Sequence, residues 1–171
     1  FANRGAAFAM EVCRRAVNVR KGGPLAVRSS DGHIVLRESA QTAEADRKHF
    51  ADENRHPWFN TNNLWLDLAK VRAALVERDG VLGLPMIRNV KTVDPTDAGS
   101  PKVVQIETAM GAAIEVFDEV AVIEVGRDRF VPVKKTNELL LLRSDCYTVD
   151  DQTGRLHQTV EVLPGIDLDG D

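Results

Sequence analysis

The sequence is poor in the features that mark several protein classes. It has only 2 cysteines in 171 residues, and Cys13 and Cys146 lie too far apart for a zinc-binding spacing or a dense disulfide framework. No apolar run approaches the roughly 20 residues that cross a bilayer, and residues 1–5 (FANRG) do not resemble a signal peptide. These absences exclude a disulfide scaffold and a membrane-spanning protein, and they favour a reducing, cytoplasmic location.

The chain also lacks a strong excess of charge, since its formal net charge is only −4. A mildly acidic chain does not hold a polyanion over a wide surface, which argues against DNA or RNA as a partner. Any binding or transfer of phosphate must then rely on a few individually positioned Lys or Arg side chains. The histidines show no ligand spacing, and the sequence contains no Walker loop, GxGxxG or nucleophile elbow.

What remains is the composition of an ordinary soluble domain. Hydrophobic residues make up 43% of the chain and charged residues 28%, which is typical of globular proteins. A domain of this length buries roughly 70% of the surface that its unfolded form exposes. Because the chain starts at Phe1 without a methionine and stops abruptly after residues 167–171, we expect it to be part of a longer gene product.

Hydrophobic periodicity predicts strands alternating with helices, which is typical of the α/β class. The predicted strands span residues 7–12, 25–28, 33–37, 81–92, 103–106, 121–125, 130–133 and 159–163. The predicted helices span residues 41–54, 64–78, 108–117 and 137–145, with Gly80 ending the second and with Thr108 and Thr136 capping the last two. Turn-forming residues predict loops at residues 20–24, 29–32, 59–63 and 94–101. Four consecutive leucines at residues 139–142 predict that the last helix is buried on most sides.

Five segments, taken in order, carry more information than this general pattern. They are residues 18–23 (NVRKGG), 58–65 (WFNTNNLW), 89–92 (NVKT), 105–114 (QIETAMGAAI) and 129–140 (RFVPVKKTNELL). The set resembles the eukaryotic-type UDP-glucose pyrophosphorylase family, in which the strings KGG, FNTNNLW, NxKT, QLETAxGAAI and RFxPVKTTSDLL occur in the same order. The resemblance runs from about Phe8 to Tyr147 and departs from the family at Lys135 and Asn137. It implies the C-terminal part of a Rossmann-like, mixed-sheet nucleotide-diphospho-sugar transferase domain.

The same resemblance implies that residues 1–171 are only the sugar-phosphate-binding part of a catalytic domain. In the family, a glycine-rich loop holds the nucleotide, and a later Asn-Ser-Asp segment supplies the aspartate that binds Mg²⁺. We expect both to precede this chain and a C-terminal β-helix to follow it, so we expect no metal ligand in the chain itself. We favour a fragment over a split gene product, and we expect the uncovered sheet edge to promote association.

The implied reaction joins UTP and glucose 1-phosphate to give UDP-glucose and pyrophosphate. Because the nucleophile and its target are both anionic, the main catalytic requirement is a placed cation that spreads the developing charge. By the resemblance, Lys134 contacts the reacting phosphates, held between the predicted strand at residues 130–133 and the helix that follows Thr136. Lys135 competes for this role, but adjacent residues of a strand point to opposite faces, and the motif favours Lys134.

The resemblance also implies that Asn62 contacts the sugar, since an amide both donates and accepts hydrogen bonds. Thr61 and Asn63 are further candidates, although they could equally stiffen the loop. Gly22 and Gly23 would let the backbone approach the sugar closely, or would simply lead into the hairpin.

Three charged residues complete the candidate substrate site. Glu38 could accept hydrogen bonds from glucose hydroxyls, although an exposed charge on a strand explains it equally well. Lys21 and Lys91 could add positive potential at the phosphate site. For each lysine, simple solvation is the competing explanation.

Two alternative functions stay open at this point. UDP-N-acetylhexosamine pyrophosphorylase belongs to the same superfamily, but its sugar-site strings differ from FNTNNLW. A catalytically silent module would fold and bind sugar phosphate without turnover, which is the behaviour we expect of residues 1–171 alone. An assay of the isolated chain beside the full-length gene product separates a silent module from an enzyme.

Overall fold

The computed structural model describes residue 3 and residues 5–15 and 23–168. The described residues form two compact units, divided between Glu124 and Val125. The first unit combines a mixed sheet with helices, which confirms the predicted α/β class. Most of the turn predicted at residues 20–24 lies outside the described residues.

The elements are numbered along the chain. The strands are β1 (Phe8–Arg14), β2 (Leu25–Val27), β3 (Ile34–Leu36), β4 (Trp58–Leu66), β5 (Met86–Thr92), β6 (Lys102–Thr108), β7 (Val120–Glu124), β8 (Tyr147–Val149) and β9 (Leu156–Gln158). The α-helices are α1 (Arg47–Phe50), α2 (Leu68–Glu77) and α3 (Thr136–Leu142), and short 3₁₀ helices span Ser39–Gln41, Glu44–Asp46, Met110–Glu115 and Arg127–Arg129. Within the described part of the chain, no helix is both long and apolar enough to span a membrane.

A three-stranded mixed sheet forms the centre of the first unit. β1 lies in the middle, antiparallel to β4 and parallel to β7. Because β1 has a neighbour on each side, Phe8, Met10 and Val12 are buried. They pack against Ile114 and Phe117 from the segment that precedes β7. The buried strand predicted from the apolar run is therefore confirmed.

The first unit also contains two antiparallel hairpins. β2 pairs with β3, and Gly32 in the connecting turn has a φ of 75°, a conformation that glycine adopts without strain. β5 pairs with β6 over their full lengths. The hairpin predicted from residues 25–28 and 33–37 is confirmed, as is the strand predicted at residues 103–106. The strand predicted at residues 81–92, with a loop at Pro85, begins only at Met86, and its pairing with β6 was not predicted.

The prediction of a loop at residues 59–63 is wrong, because this segment lies inside strand β4. Asparagine has a low strand propensity, so the local sequence argues against a strand. Pairing with β1 overrides that preference: Phe59 pairs with Cys13, and both side chains are buried. The asparagines of the motif are therefore carried by the central sheet.

The prediction of one exposed helix at residues 41–54 is also wrong. The segment forms short 3₁₀ turns and the single turn α1, and Phe50 is buried. Asp52 accepts a hydrogen bond from the backbone N–H of Asn54 at 3.0 Å. Side-chain bonds of this kind compete with the helical backbone ladder, so they break a polar segment into turns.

Helix α2 begins later than predicted, at Leu68. Asp67 is its N-cap, and its Oδ1 accepts hydrogen bonds from the backbone N–H groups of Ala69 at 2.9 Å and Lys70 at 3.3 Å. These bonds satisfy donors of the first turn, which otherwise have no partner in the helix. At the other end, Gly80 has a φ of 85° and confirms the predicted stop.

The helix predicted at residues 108–117 is a 3₁₀ helix, Met110–Glu115. Thr108 does not cap it, because this residue is the last of β6. Small residues let this helix pack closely against β3, since a Cβ on Gly111 would lie 2.6 Å from Leu36 Cδ2. A side chain at this position would require Leu36 to move.

The strand predicted at residues 130–133 in the second unit is wrong. The chain is irregular there, between the Arg127–Arg129 turn and α3. Pro132 has no N–H to offer to a ladder, which weakens any strand in this stretch. Thr136 opens α3 and is not its cap, because Lys135 occupies the N-cap position.

The predicted burial of α3 on most sides is wrong for the described chain. Leu139 and Leu140 are 43% and 48% exposed. Four consecutive helical residues cover more than a full turn, so a single neighbouring surface cannot bury all of them.

The strand predicted at residues 159–163 is also wrong, because the last hairpin comes earlier, with β8 paired to β9. Asp150 shapes the turn between them: its Oδ1 accepts a hydrogen bond from the backbone N–H of Gln152 at 2.8 Å. Gly154 closes the turn with a φ of 67°. Asp and Gly at these positions favour a turn, although no loop was predicted there.

Candidate active site

Strand β4 carries a bulge at the centre of the FNTNNLW motif. The register shifts between Met10 and Val12, where the single residue Glu11 faces residues 61–63 of β4. Asn62 lies in the middle of the bulge with a φ of 67°, a left-handed conformation that asparagine tolerates better than most residues. The bulge therefore turns Asn62 out of the regular strand geometry.

Hydrogen bonds hold the bulge on both sides of Asn62. The hydroxyl of Thr61 donates to the backbone oxygen of Glu11 at 2.9 Å, and the backbone N–H of Asn62 donates to Asn60 Oδ1 at 2.7 Å. On the other side, Asn63 Nδ2 donates to Glu11 Oε2 at 3.2 Å. The backbone of the motif is thus tied both to itself and to β1.

Glu11 is the residue of this site that sequence reasoning missed. It is 2% exposed, and its second carboxylate oxygen, Oε1, accepts a hydrogen bond from Trp65 Nε1 at 3.1 Å. A buried carboxylate is stable only when its oxygens have hydrogen-bond partners. The sequence feature that could have pointed to Glu11 is its position as a single acidic residue inside the apolar run of β1.

The side-chain amide of Asn62 is the open polar group of the bulge. Asn62 is exposed, and within the described residues its side-chain amide makes no hydrogen bond. Thr61 is buried and donates its hydroxyl proton inside the protein. Asn63 uses its amide nitrogen for Glu11. Asn62 is therefore the member of the motif best placed to meet a ligand.

Gly23 joins the motif to Glu38. Its backbone oxygen accepts a hydrogen bond from the N–H of Asn60 at 3.0 Å. A Cβ on Gly23 would lie 2.7 Å from the backbone oxygen of Arg37 and 2.9 Å from Glu38 Oε1, so a side chain does not fit. The absence of a side chain lets the backbone lie between β4 and the half-buried Glu38, which brings Gly23, Glu38 and the asparagine motif together.

A second glycine joins the QIETAMGAAI segment to the same motif. A Cβ on Gly111 would lie 2.9 Å from Asn60 Nδ2 and 3.5 Å from Met10 Cε. Three of the five segments singled out in the sequence, those containing Gly23, Asn60 and Gly111, therefore meet within the first unit.

The remaining substrate-site candidates of the first unit are less closely joined to the bulge. Lys91 is exposed on β5, across from Val103 of β6. β5 lies beside the Ser39–Gln41 turn that follows Glu38. Lys21 and Gly22 lie outside the described residues, and their assigned roles stay predictions.

Lys134 lies in the second unit, residues 125–171. It is exposed and sits in the irregular segment before α3, so the strand argument that separated it from Lys135 does not apply. Glu138 fixes the local backbone: its Oε2 accepts hydrogen bonds from the N–H of Lys134 and, at 2.9 Å, from the N–H of Lys135. The backbone of Lys134 is thus held next to the N-terminal end of α3.

The described residues do not offer a metal centre. Within residues 5–15 and 23–168, no group of three or more His, Cys, Asp or Glu side chains could hold a metal ion. Nε2 of the buried His56 lies 3.4 Å from Nη1 of Arg37. The positive guanidinium group beside it makes this imidazole a poor ligand for a cation.

Similarity to known proteins identifies the family of this chain. Residues 1–171 match the family model for UTP–glucose-1-phosphate uridylyltransferase. The chain belongs to this uridylyltransferase family. Over 144 residues it is 42% identical to UTP–glucose-1-phosphate uridylyltransferase of Astragalus penduliflorus, a match that covers 84% of this chain and 29% of the relative. The corresponding enzyme of Solanum tuberosum is 41% identical over 145 residues, covering 85% and 28%.

Solved structures of UDP-glucose pyrophosphorylases confirm the resemblance and the fold class. A Trypanosoma brucei structure described as UDP-glucose phosphorylase superposes with a TM-score of 0.83 at 46% identity, covering 92% of this chain and 33% of that one. A mutant of Leishmania major UDP-glucose pyrophosphorylase in complex with UDP-glucose superposes with a TM-score of 0.80 at 47% identity, covering 92% and 35%. This member of the uridylyltransferase family therefore spans about a third of the length of these relatives.

Proposed function

We propose that this chain is the sugar-phosphate-binding part of an enzyme that makes UDP-glucose and pyrophosphate from UTP and glucose 1-phosphate. The observation that carries the proposal is the exposed amide of Asn62, which has no protein partner within the described residues and projects from a braced bulge. Membership of the uridylyltransferase family supports it. So does the similarity to a Leishmania major enzyme that was crystallised with UDP-glucose.

The reaction is an in-line displacement at phosphorus. An oxygen of the sugar phosphate bonds to the α-phosphorus of UTP, and the bond from that phosphorus to the bridging oxygen of the β-phosphate breaks as pyrophosphate leaves. An ammonium group 4 Å from a phosphate oxygen contributes about 1 kcal/mol in water and about 4 kcal/mol at an effective dielectric constant near 20. We assign this role to Lys134, because a compact point charge stabilises the crowded anionic transition state.

The sugar is bound by neutral and acceptor groups in this proposal. Asn62 can both donate to and accept from a glucose hydroxyl, and Glu38 accepts from another. Thr61 and Asn63 complete the motif, mainly by holding Asn62 in place. Gly22 and Gly23 allow the backbone to approach closely, and Lys21 and Lys91 add positive potential for the phosphate.

Magnesium belongs to the proposal for the longer enzyme and not to the residues described here. When bound, Mg²⁺ would neutralise charge on the phosphates of UTP, and its main ligand lies outside this chain in our proposal. We also propose a cytoplasmic enzyme, because the buried Cys146 is a free thiol, as is usual in a reducing compartment.

A silent binding module is the second candidate for the isolated chain. The observation that favours it is coverage, since the chain spans only 29% of the Astragalus penduliflorus relative. By contrast, the relatives found favour the glucose enzyme over the UDP-N-acetylhexosamine pyrophosphorylase alternative.

Measuring pyrophosphate release tests both the proposed reaction of the full-length enzyme and the proposed silence of the isolated chain. We expect the full-length gene product that contains this chain to release pyrophosphate from UTP, glucose 1-phosphate and Mg²⁺. We expect the isolated 171 residues to release none, while UDP-glucose still shifts the NMR signals of residues 60–63. Inactivity of the full-length product would overturn the proposed reaction, and turnover by the isolated chain would overturn the division of roles.

A further inference from the structure

Glu11 is a buried carboxylate inside an otherwise apolar strand. Glu11 is 2% exposed, and its neighbours Met10 and Val12 are 0% and 1% exposed. Removing a carboxylate from water is costly unless its oxygens gain hydrogen bonds in return. An apolar residue would fill this position of β1 at lower cost, so the packing of the core does not explain the glutamate.

The side chain of Glu11 joins two residues that follow Asn62 in β4. Oε2 accepts from Asn63 Nδ2 at 3.2 Å, and Oε1 accepts from Trp65 Nε1 at 3.1 Å. Thr61, which precedes Asn62, donates instead to the backbone oxygen of Glu11, a bond that any residue at position 11 could accept. The carboxylate therefore acts specifically on the C-terminal side of the bulge.

We propose that Glu11 is a positioning residue whose carboxylate fixes the bulge at residues 61–63 and thereby orients the Asn62 amide toward glucose 1-phosphate. The proposal rests on the proposed function. Asn62 is held in the left-handed region, and one residue of β1 faces three of β4. A shift in register would remove both features and turn the amide to another face. By holding Asn63 and Trp65, the carboxylate opposes that shift.

A pair of variants separates this role from simple filling of space. Glu11→Met keeps most of the volume but removes both acceptor oxygens, so Asn63 Nδ2 and Trp65 Nε1 each lose their partner. Glu11→Gln is the rescue variant: its amide oxygen can accept from Trp65 Nε1, and its NH₂ group can donate to Asn63 Oδ1 once the Asn63 amide turns over.

Glu107 provides a matched control. This exposed glutamate of β6 also accepts hydrogen bonds from two side-chain amides, those of Asn89 and Gln105. Both of its partners lie on the β5–β6 hairpin and not on β4. Glu107→Met is therefore the same chemical change at a site with no proposed role.

Steady-state kinetics of the full-length enzyme test the effect on substrate. We expect Glu11→Met to raise KM for glucose 1-phosphate about tenfold, the scale of one lost hydrogen bond to a charged group, with KM for UTP unchanged. We expect Glu11→Gln to retain most of the affinity for glucose 1-phosphate, and Glu107→Met to behave like the unchanged enzyme. A lower melting temperature with unchanged KM would overturn the positioning role.

Amide hydrogen exchange separates failure of this inference from failure of the proposed function. In Glu11→Met, we expect faster exchange at residues 61–63 and unchanged exchange in β5. If the unchanged enzyme does not turn over glucose 1-phosphate, the proposed function fails. The exchange result then still decides the brace, because unaltered exchange at the bulge would overturn the claim that the carboxylate fixes it.

Discussion

The segments around Asn62 and Lys134 are held in different ways. Asn62 lies on a strand of the central sheet, between Thr61 and Asn63, which are both tied to β1. Lys134 lies in an irregular, exposed segment whose backbone is held by the carboxylate of Glu138. The difference matches their proposed tasks. A hydrogen bond to a hydroxyl weakens steeply with misalignment, whereas the attraction of a point charge falls only as the inverse of distance.

Replacing the charge should have the largest effect. In the full-length enzyme, we expect Lys134→Ala to lower kcat by about 10²-fold or more, the scale for losing one group that stabilises transition-state charge. The loss should appear in kcat, because the charge on the α-phosphate oxygens develops in the transition state. Single-turnover measurements of pyrophosphate release provide the check.

Lys135→Ala is the matched control for this experiment. Both lysines are exposed and both donate their backbone N–H to Glu138, so either substitution removes one neighbouring charge and keeps the cap. We expect Lys135→Ala to change kcat less than threefold, on the scale of an exposed charge. Equal losses in the two variants would contradict the assignment to Lys134.

Removing the amide without disturbing the bulge should have the next largest effect. Glycine adopts the left-handed φ of Asn62 without strain, so Asn62→Gly removes the side chain and keeps the backbone. Losing one hydrogen bond to the sugar costs about 1 kcal/mol. We therefore expect KM for glucose 1-phosphate to rise about fivefold to tenfold, with KM for UTP unchanged.

Asp79 offers the control for this glycine substitution. It is exposed after α2 and has a left-handed φ of 51°. Asp79→Gly therefore makes the same backbone change far from the motif in sequence, and we expect it to leave both KM values unaltered. An unchanged KM in Asn62→Gly, with normal folding, would remove Asn62 from the sugar site.

Weakening the support of Lys134 should have a smaller effect than removing its charge. Glu138→Ala removes the acceptor for the N–H groups of Lys134 and Lys135, and losing such a cap costs about 1 kcal/mol. Because a displaced ammonium still attracts the phosphates, we expect kcat to fall only about threefold to fivefold. The exposed Glu161 provides the control variant Glu161→Ala. A loss as large as that of Lys134→Ala would mean that position matters as much as charge.

The sequence predicts those elements whose signals are local. The apolar run of β1, the turn between β2 and β3, and the stop of α2 at Gly80 are each encoded by neighbouring residues. The strand β4 is not, because its pairing partner Glu11 lies 50 residues from Thr61 in sequence. The FNTNNLW motif singled out Asn62 as a candidate site residue. The neighbouring sequence, however, does not show that the carboxylate of Glu11 on another strand holds the backbone around Asn62. Tertiary pairing thus overrode the loop propensity of the asparagines.

The smallest predicted effect concerns the pH dependence of stability in the first unit, through His56. This residue is buried, and burial, followed by the positive charge of Arg37, lowers the pKa of His56 below its ordinary value of 6.5. Arg15 and Arg55 act in the same direction. The folded protein therefore disfavours the protonated imidazole relative to the unfolded chain. Stability is full above pH 6.5 and falls as the pH drops from 6.5 toward the lowered pKa of the folded state.

Replacing His56 with a side chain that does not titrate should weaken the dependence of stability on pH. We expect His56→Gln to be less stable than the unchanged protein at about pH 7.5, because a well-packed side chain is replaced, yet to lose less stability on going to about pH 5.5. Urea unfolding at the two pH values measures both slopes. Parallel curves for His56→Gln and the unchanged protein would show that the imidazole is not held neutral by its burial and by Arg37.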